Sequence, residues 1–235
     1  DLHRGGGGGE PTLGNEFERL FTIVNKKYIP KTQRVFSNAL KYSKALQANL
    51  DDGLTSLTTS IDAGTEETFR IVRGAKRFEK VLNNLRQYSA VNPDHVTIKY
   101  IFTDDNYQID ELEKFVEKII IHDLVRCNFL ISADFKIENL NDKKILSLMI
   151  LYWLLHKKGI LAVTFDDHVY KRINEIGLKY KNISDGFNLP KEYIKLIGDI
   201  NASVKAHKDK DIIVWGSGEF SKKVFQSSKN LKSMN

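Results

Sequence analysis

Short β-rich runs alternate with amphipathic helical runs from one end of the chain to the other. Arg34–Ser37, Ser56–Asp62, His95–Phe102, Leu124–Ala133, Ile160–Phe165 and Asp211–Trp215 read as strands, being rich in β-branched and aromatic residues. Between them, apolar residues recur at helical spacing: Phe17, Leu20, Phe21 and Val24; then Val81, Leu82, Leu85 and Tyr88; then Leu112, Phe115, Val116 and Ile119. Further helices are expected at Lys41–Leu50, Glu66–Gly74, Asp142–Gly159, His168–Ile176, Pro190–Lys205 and Glu219–Ser227. Strand–helix alternation of this kind produces parallel strands joined by crossover helices.

Side chains alternate along a strand, and here the alternation is two-faced. In Ser56–Asp62, Leu57, Thr59 and Ile61 share one face, while Ser56, Thr58, Ser60 and Asp62 share the other. In the next strand Thr97, Lys99 and Ile101 oppose Val96, Ile98 and Tyr100. In Leu124–Asp134, Arg126, Asn128, Leu130, Ser132 and Asp134 oppose Val125, Cys127, Phe129, Ile131 and Ala133. The apolar faces must pack on helices. A closed eight-stranded barrel fills its interior with branched apolar side chains, and an interior this polar is costly unless water or a polar ligand satisfies it. The expected fold is α/β: an open or partial parallel (β/α) barrel of TIM type around a polar ligand. The start of a Rossmann-like unit follows it. Residues 1–205 would form the barrel and 206–235 the beginning of a second domain, with the polar stretch Ala206–Lys210 between them.

Composition narrows the function classes. With 41% hydrophobic and 28% charged residues in 235, the chain has the make-up of an ordinary globular protein. Its net charge of +6 is spread over helix faces in pairs such as Lys143-Lys144 and Lys222-Lys223, so no nucleic-acid partner is expected. The longest apolar stretch, Ile145–Leu155, is too short to span a bilayer, and no membrane association is expected. One cysteine, Cys127, precludes an intrachain disulfide, and a cytoplasmic location is the expectation.

Three short motifs follow apparent strands. Asp1–His3, read as the tail of a first strand, runs into Gly5–Gly9 and then Glu10, Pro11, Thr12 and Leu13; Ser37-Asn38 ends the second strand, Arg34–Ser37; Ser60-Ile61-Asp62 ends the third and leads into Ala63-Gly64-Thr65. Glycines let a backbone approach a ligand closely, and carboxylates suit a primary ammonium or a vicinal diol. Each also has a purely structural reading: a glycine turn, or a helix cap supplied by Asp62 or Thr65.

With its motifs in this order, residues 1–180 resemble the radical SAM superfamily, whose partial (β/α)6 barrel binds S-adenosylmethionine and a 4Fe-4S cluster at the C-terminal rim of its strands. The resemblance puts Gly8, Gly9 and Glu10 at the methionine amino group, Ser60 and Asp62 at the ribose hydroxyls, and Ser37 and Asn38 at the polar rim. It implies a 5′-deoxyadenosyl radical that abstracts hydrogen from an unidentified substrate, with an electron donor such as flavodoxin or ferredoxin. The superfamily's Cys-x3-Cys-x2-Cys loop has no counterpart here, so the chain carries no metal ligands for the cluster. Because the chain opens on Asp1 and stops soon after Asp211, it is expected to be a fragment of a longer enzyme; the alternative is a cluster-less binding protein or remnant.

Other residues keep two readings. Lys99 and Arg126, inward by alternation, suit a substrate phosphate or carboxylate, or an ion pair with Asp62 or Asp134. Asp166-Asp167-His168 suits a divalent ion or a helix cap. Gly216-Ser217-Gly218 after Ile212–Trp215 resembles a nucleotide-binding glycine turn, which makes a nucleotide-dependent enzyme a further alternative. Trp153 and Phe129 read as core.

Overall fold

The computed structural model describes residues 2–4, 10–28, 33–133, 142–166 and 169, with backbone alone for residues 2–4, 15, 25, 26, 28 and 142. Gly8, Gly9, Asp134, Asp167, His168 and every element expected beyond residue 169 lie outside the described residues. The chain divides into two compact units. Residues 1–138 and 147–166 make the first; residues 139–146 and 167–235 make the second, of which 142–146 and 169 are described.

Six described strands form one sheet: β1 (Leu2–Arg4), β2 (Gln33–Phe36), β3 (Thr55–Ser60), β4 (Val96–Phe102), β5 (Asn128–Ala133) and β6 (Val163–Phe165). All neighbours are parallel and the spatial order is β1-β2-β3-β4-β5-β6, the order of the sequence. A doubly wound sheet reverses its strand order part-way; this one never does. Right-handed crossovers between successive neighbours put their helices on a single face, which is the arrangement of a partial β/α barrel. The α/β expectation holds.

The helices are α1 (Asn15–Tyr28), α2 (Lys44–Asp51), α3 (Glu66–Arg73), α4 (Phe78–Tyr88), α5 (Ile109–Ile121) and α6 (Asp142–Lys157). Their ends follow local chemistry. The Ser43 hydroxyl accepts from the Leu46 amide and starts α2; the Thr65 hydroxyl accepts from the Thr68 amide and starts α3. Gly74, at φ 69°, ends α3 in the left-handed region. No described helix is long and apolar enough to cross a membrane.

Strand burial alternates as the sequence pattern requires. Leu57, Val96, Ile98, Tyr100, Phe129 and Ile131 are buried under the helices, whereas Ser56, Thr58, Ser60, Thr97, Lys99 and Leu130 are only partly buried. Phe115 of α5 packs edge-on to Tyr100 of β4 at 4.8 Å and to Phe129 of β5 at 6.5 Å, pinning that helix to the sheet. Tyr88 of α4 stacks on Tyr42 at 5.0 Å and accepts a 2.7 Å hydrogen bond from the Ser43 amide, so its hydroxyl is satisfied within the core.

Two expectations are corrected. The fifth strand begins at Asn128, not Leu124. Asp123, at φ 57°, turns the chain out of α5, and the Leu124 amide donates back to the Ile119 carbonyl at 3.0 Å, so 124–127 is a turn. Trp153 is half-buried beneath Lys157, whose Nζ stands 4.7 Å from the ring centroid; Phe129 is core.

The loop after β3 passes directly against α5. A Cβ on Gly64 would lie 2.5 Å from the Phe115 amide nitrogen and still closer to the Glu111 carbonyl. Both obstacles are helix backbone and cannot swing aside. Gly64→Ala is expected to lower stability by about 1–3 kcal/mol through overpacking, measured as a fall in the urea midpoint of the full chain; an unchanged midpoint would show that the loop stands off the helix.

Candidate functional site

The uncovered face of the sheet forms an open cavity of about 680 Å³. Arg34 and Phe36 of β2, Ser56, Thr58 and Ser60 of β3, Thr97 and Lys99 of β4, and Asn128 and Leu130 of β5 line it. Register places these residues in rows across the strands: Phe36 beside Thr58, Thr58 beside Thr97 and Thr97 beside Asn128; then Ser60 beside Lys99 and Lys99 beside Leu130. At the C-terminal rim the cavity also meets Glu10, Ser37, Asn38 and Arg73.

Glu10 organises that rim. Its Oε1 accepts from the Thr12 and Ser37 hydroxyls, both at 2.6 Å, and its Oε2 accepts from the Asn38 amide at 2.6 Å. It also caps the short 3-10 turn Pro11–Leu13 through the Thr12 amide. The loops after β1 and β2 are thereby joined through one carboxylate. Three expected site residues, Glu10, Ser37 and Asn38, meet here. A carboxylate has about four acceptor directions, so Oε2 keeps one for a further donor such as an ammonium. Ser60, the last residue of β3, faces the cavity, and its hydroxyl has no partner among the described residues.

Asp62 sits differently. Its backbone is at φ 58° and it is buried, outside the cavity lining. Oδ1 accepts from the Ile101 amide at 2.6 Å, and Oδ2 accepts from Arg73 Nη1 at 3.1 Å. Asn106 Nδ2 donates to the Asp62 carbonyl at 2.9 Å and to the Ile101 carbonyl at 2.8 Å. The helix cap belongs to Thr65, and the Gly64 and Thr65 amides donate to buried Glu111 at 2.5 and 3.2 Å. Burial pushes the Asp62 carboxyl up to about 6, against the opposing pull of Arg73, the Ile101 amide and Lys99.

Of the two inward cations expected, Lys99 lines the cavity and Arg126 does not. Arg126 lies in the turn ahead of β5, exposed, so strand alternation never applied to it. The ion-pair partner of Asp62 is Arg73, which sequence reasoning missed as a site residue, as it missed Arg34. The sequence signal for Arg73 was its place directly before a helix-ending glycine; that it reaches back to a strand end is a tertiary fact.

A 4Fe-4S cluster requires thiolates. Cys127, the one cysteine, is buried in the turn before β5, and burial pushes its thiol up to about 11. The residues of this chain do not fit the cluster. They do fit an adenosyl cofactor with an amino-acid end: an acceptor at Glu10, an open hydroxyl at Ser60 and cations at Lys99 and Arg73.

No family model matches the chain. Among curated proteins, it is 22% identical to the GTP 3',8-cyclase of Klebsiella pneumoniae over 112 residues, covering 47% of this chain and 34% of the relative. It is 32% identical to the GTP 3',8-cyclase of Psychromonas ingrahamii over 80 residues, covering 33% and 23%, and 23% identical to that of Photorhabdus laumondii over 94 residues, covering 40% and 29%. The likeness supports the radical SAM superfamily. The matched segments span only about a quarter to a third of those relatives' length.

The Asp62 environment makes a pH test. Its folded-state value near 6 lies above the ordinary 3.8, so the fold binds that proton more tightly than the unfolded chain. The associated stability is complete below about 3.8 and is lost as pH rises through about 6. Relative to Asp62→Asn, the native chain should lose on the order of 3 kcal/mol between pH 4 and 7 in denaturant titrations. Arg73→Met should raise the Asp62 titration midpoint, read by carboxyl carbon NMR; a midpoint near 4 in both proteins would refute the assignment.

Proposed function

We propose that the concave face binds S-adenosylmethionine, in the manner of a radical SAM barrel. The carrying observation is the convergence of Glu10, Ser37 and Asn38 at one rim of a polar-lined cavity, next to the open Ser60 hydroxyl. Glu10 Oε2 would accept from the cofactor's ammonium, and Ser60 would meet a ribose hydroxyl. Gly8 and Gly9 would let the backbone approach the methionine end. Asp62 contributes by holding Arg73 and the β3–β4 ends in place rather than by touching the ribose.

S-Adenosylmethionine, once bound, supplies a sulfonium whose reductive cleavage is the superfamily's route to a 5′-deoxyadenosyl radical. This chain supplies no thiolates for the reducing cluster, so the proposal for these residues is cofactor binding and orientation. The same cavity carries Lys99 and Arg34; Asp94 also lines it, but neither cation has a carboxylate at ion-pair distance among the described residues. Two such cations in a partly enclosed site favour an anionic substrate, in keeping with the nucleotide in the relatives' name.

Calorimetric titration of the full chain with S-adenosylmethionine tests the reading. Saturable binding is expected. Ser60→Val keeps a strand-forming side chain while removing the open hydroxyl and filling part of the cavity, and should weaken binding by about tenfold or more at an unchanged unfolding midpoint. Absence of saturable binding, or equal affinity in the variant, would overturn it.

A further inference from the structure

A second concavity, of about 460 Å³, opens among loops that follow the C-terminal ends of the strands. Leu13, Leu40 and Ala75 make its apolar floor, and Lys41, Lys76, Arg77 and Lys80 surround them. Leu13 is 55% exposed, and Lys76, Arg77 and Lys80 are exposed. No carboxylate lines the concavity among the described residues. Two acidic residues near these cations in sequence, Glu66 and Glu79, are engaged elsewhere. Glu66 accepts from the Phe78 amide at 2.9 Å, and Glu79 pairs with Lys118 and lies 3.0 Å from His122 Nε2.

We infer that this cleft is a docking surface for an acidic protein segment carrying one apolar anchor side chain. Four cations gathered in one cleft repel one another; the Leu13 carbonyl accepts from Lys41 Nζ at 3.4 Å, and no carboxylate on the described lining neutralises any of them. A partner bearing carboxylates relieves that repulsion and is steered to the cleft at long range. Exposed Leu13 and half-buried Leu40 supply what carboxylates alone would not use: an apolar floor for a single large apolar side chain, ringed by polar contacts. That floor also decides against a nucleic acid, whose backbone phosphates track extended basic grooves rather than a short apolar pit. Lys76, Arg77 and Lys80 come from the α3–α4 connection and the first turn of α4, and Lys41 joins them from the loop after β2. The inference is independent of cofactor binding, since none of these residues lines the larger cavity.

The probe is a fluorescein-labelled peptide with one central phenylalanine flanked on each side by aspartates and glutamates, read by fluorescence anisotropy against the full chain. Binding at low salt is expected, with affinity falling as salt is raised. The Lys76→Glu/Lys80→Glu variant should bind at least about tenfold more weakly, and Arg77→Glu should weaken binding in the same direction; all three side chains are exposed, so unfolding midpoints should not move. Replacing the peptide's phenylalanine with serine should weaken binding at constant charge, which reports the apolar floor. No binding at low salt, equal affinity in both charge-reversed variants, or indifference to the anchor replacement would overturn the inference. So would a single-stranded oligonucleotide of equal charge that binds more tightly than the peptide and is lost in the same variants.

Discussion

Six parallel strands laid side by side in the order of synthesis can be covered by crossover helices on one face only. Leu57, Val96, Ile98, Tyr100 and Phe129 fill the covered face, with Phe115 wedged between β4 and β5 from the helix side. The opposite face then has to be tolerable in contact with water or a polar ligand, and it carries Ser56, Thr58, Ser60, Thr97, Lys99 and Asn128. The cavity is thus a consequence of strand order combined with period-two alternation, rather than a pocket carved into a core. Its polar lining has no counterpart in a closed barrel, where branched apolar residues fill the same space.

The rim of that cavity is tied by carboxylates to backbone amides. Glu10 holds the Asn38 amide, Asp62 the Ile101 amide, and Glu111 the Gly64 and Thr65 amides. Each tie joins segments far apart in sequence: the β1 loop to the β2 loop, the β3 end to β4, the β3 loop to α5. Ionised acceptors make stronger hydrogen bonds than neutral ones, and amides held this way cannot drift when the site is empty. A ligand-facing surface built on loops gains the rigidity it would otherwise lack. The cost is visible at Asp62, whose burial opposes its own ionisation even with Arg73 alongside.

Much of this was legible before any coordinates. Alternation in Ser56–Asp62 and His95–Phe102 assigned the inward face of β3 and β4 correctly, because both strands have clean two-residue periods. It failed for Arg126. Leu124 and Cys127 are buried apolar residues of a turn, three positions apart, so 124–127 has the apolar make-up of a strand without its two-residue period. The meeting of Glu10 with Ser37 and Asn38 was foreshadowed only as separate motifs after separate strands. Ser-x-Asp at a strand end reads equally as a ligand contact, a cap or a support, and Asp62 lies outside the cavity lining, bonded to Arg73 and the Ile101 amide.

What the sequence by itself determined is the parallel α/β plan, a helix cap within Asp62–Thr65, and which strand face is polar. These depend on local periodicity and on side chains within a turn of the backbone groups they satisfy. What only the tertiary structure decided is which carboxylate meets which partner. Arg73 reaches Asp62 across 11 positions, Glu111 reaches Gly64 across 47, and Glu10 reaches Asn38 across 28. Lys41 meets Lys76, Arg77 and Lys80 at the second cleft for the same reason. Such contacts are set by strand register and helix placement, which bring distant loops to one rim, and no local pattern encodes them.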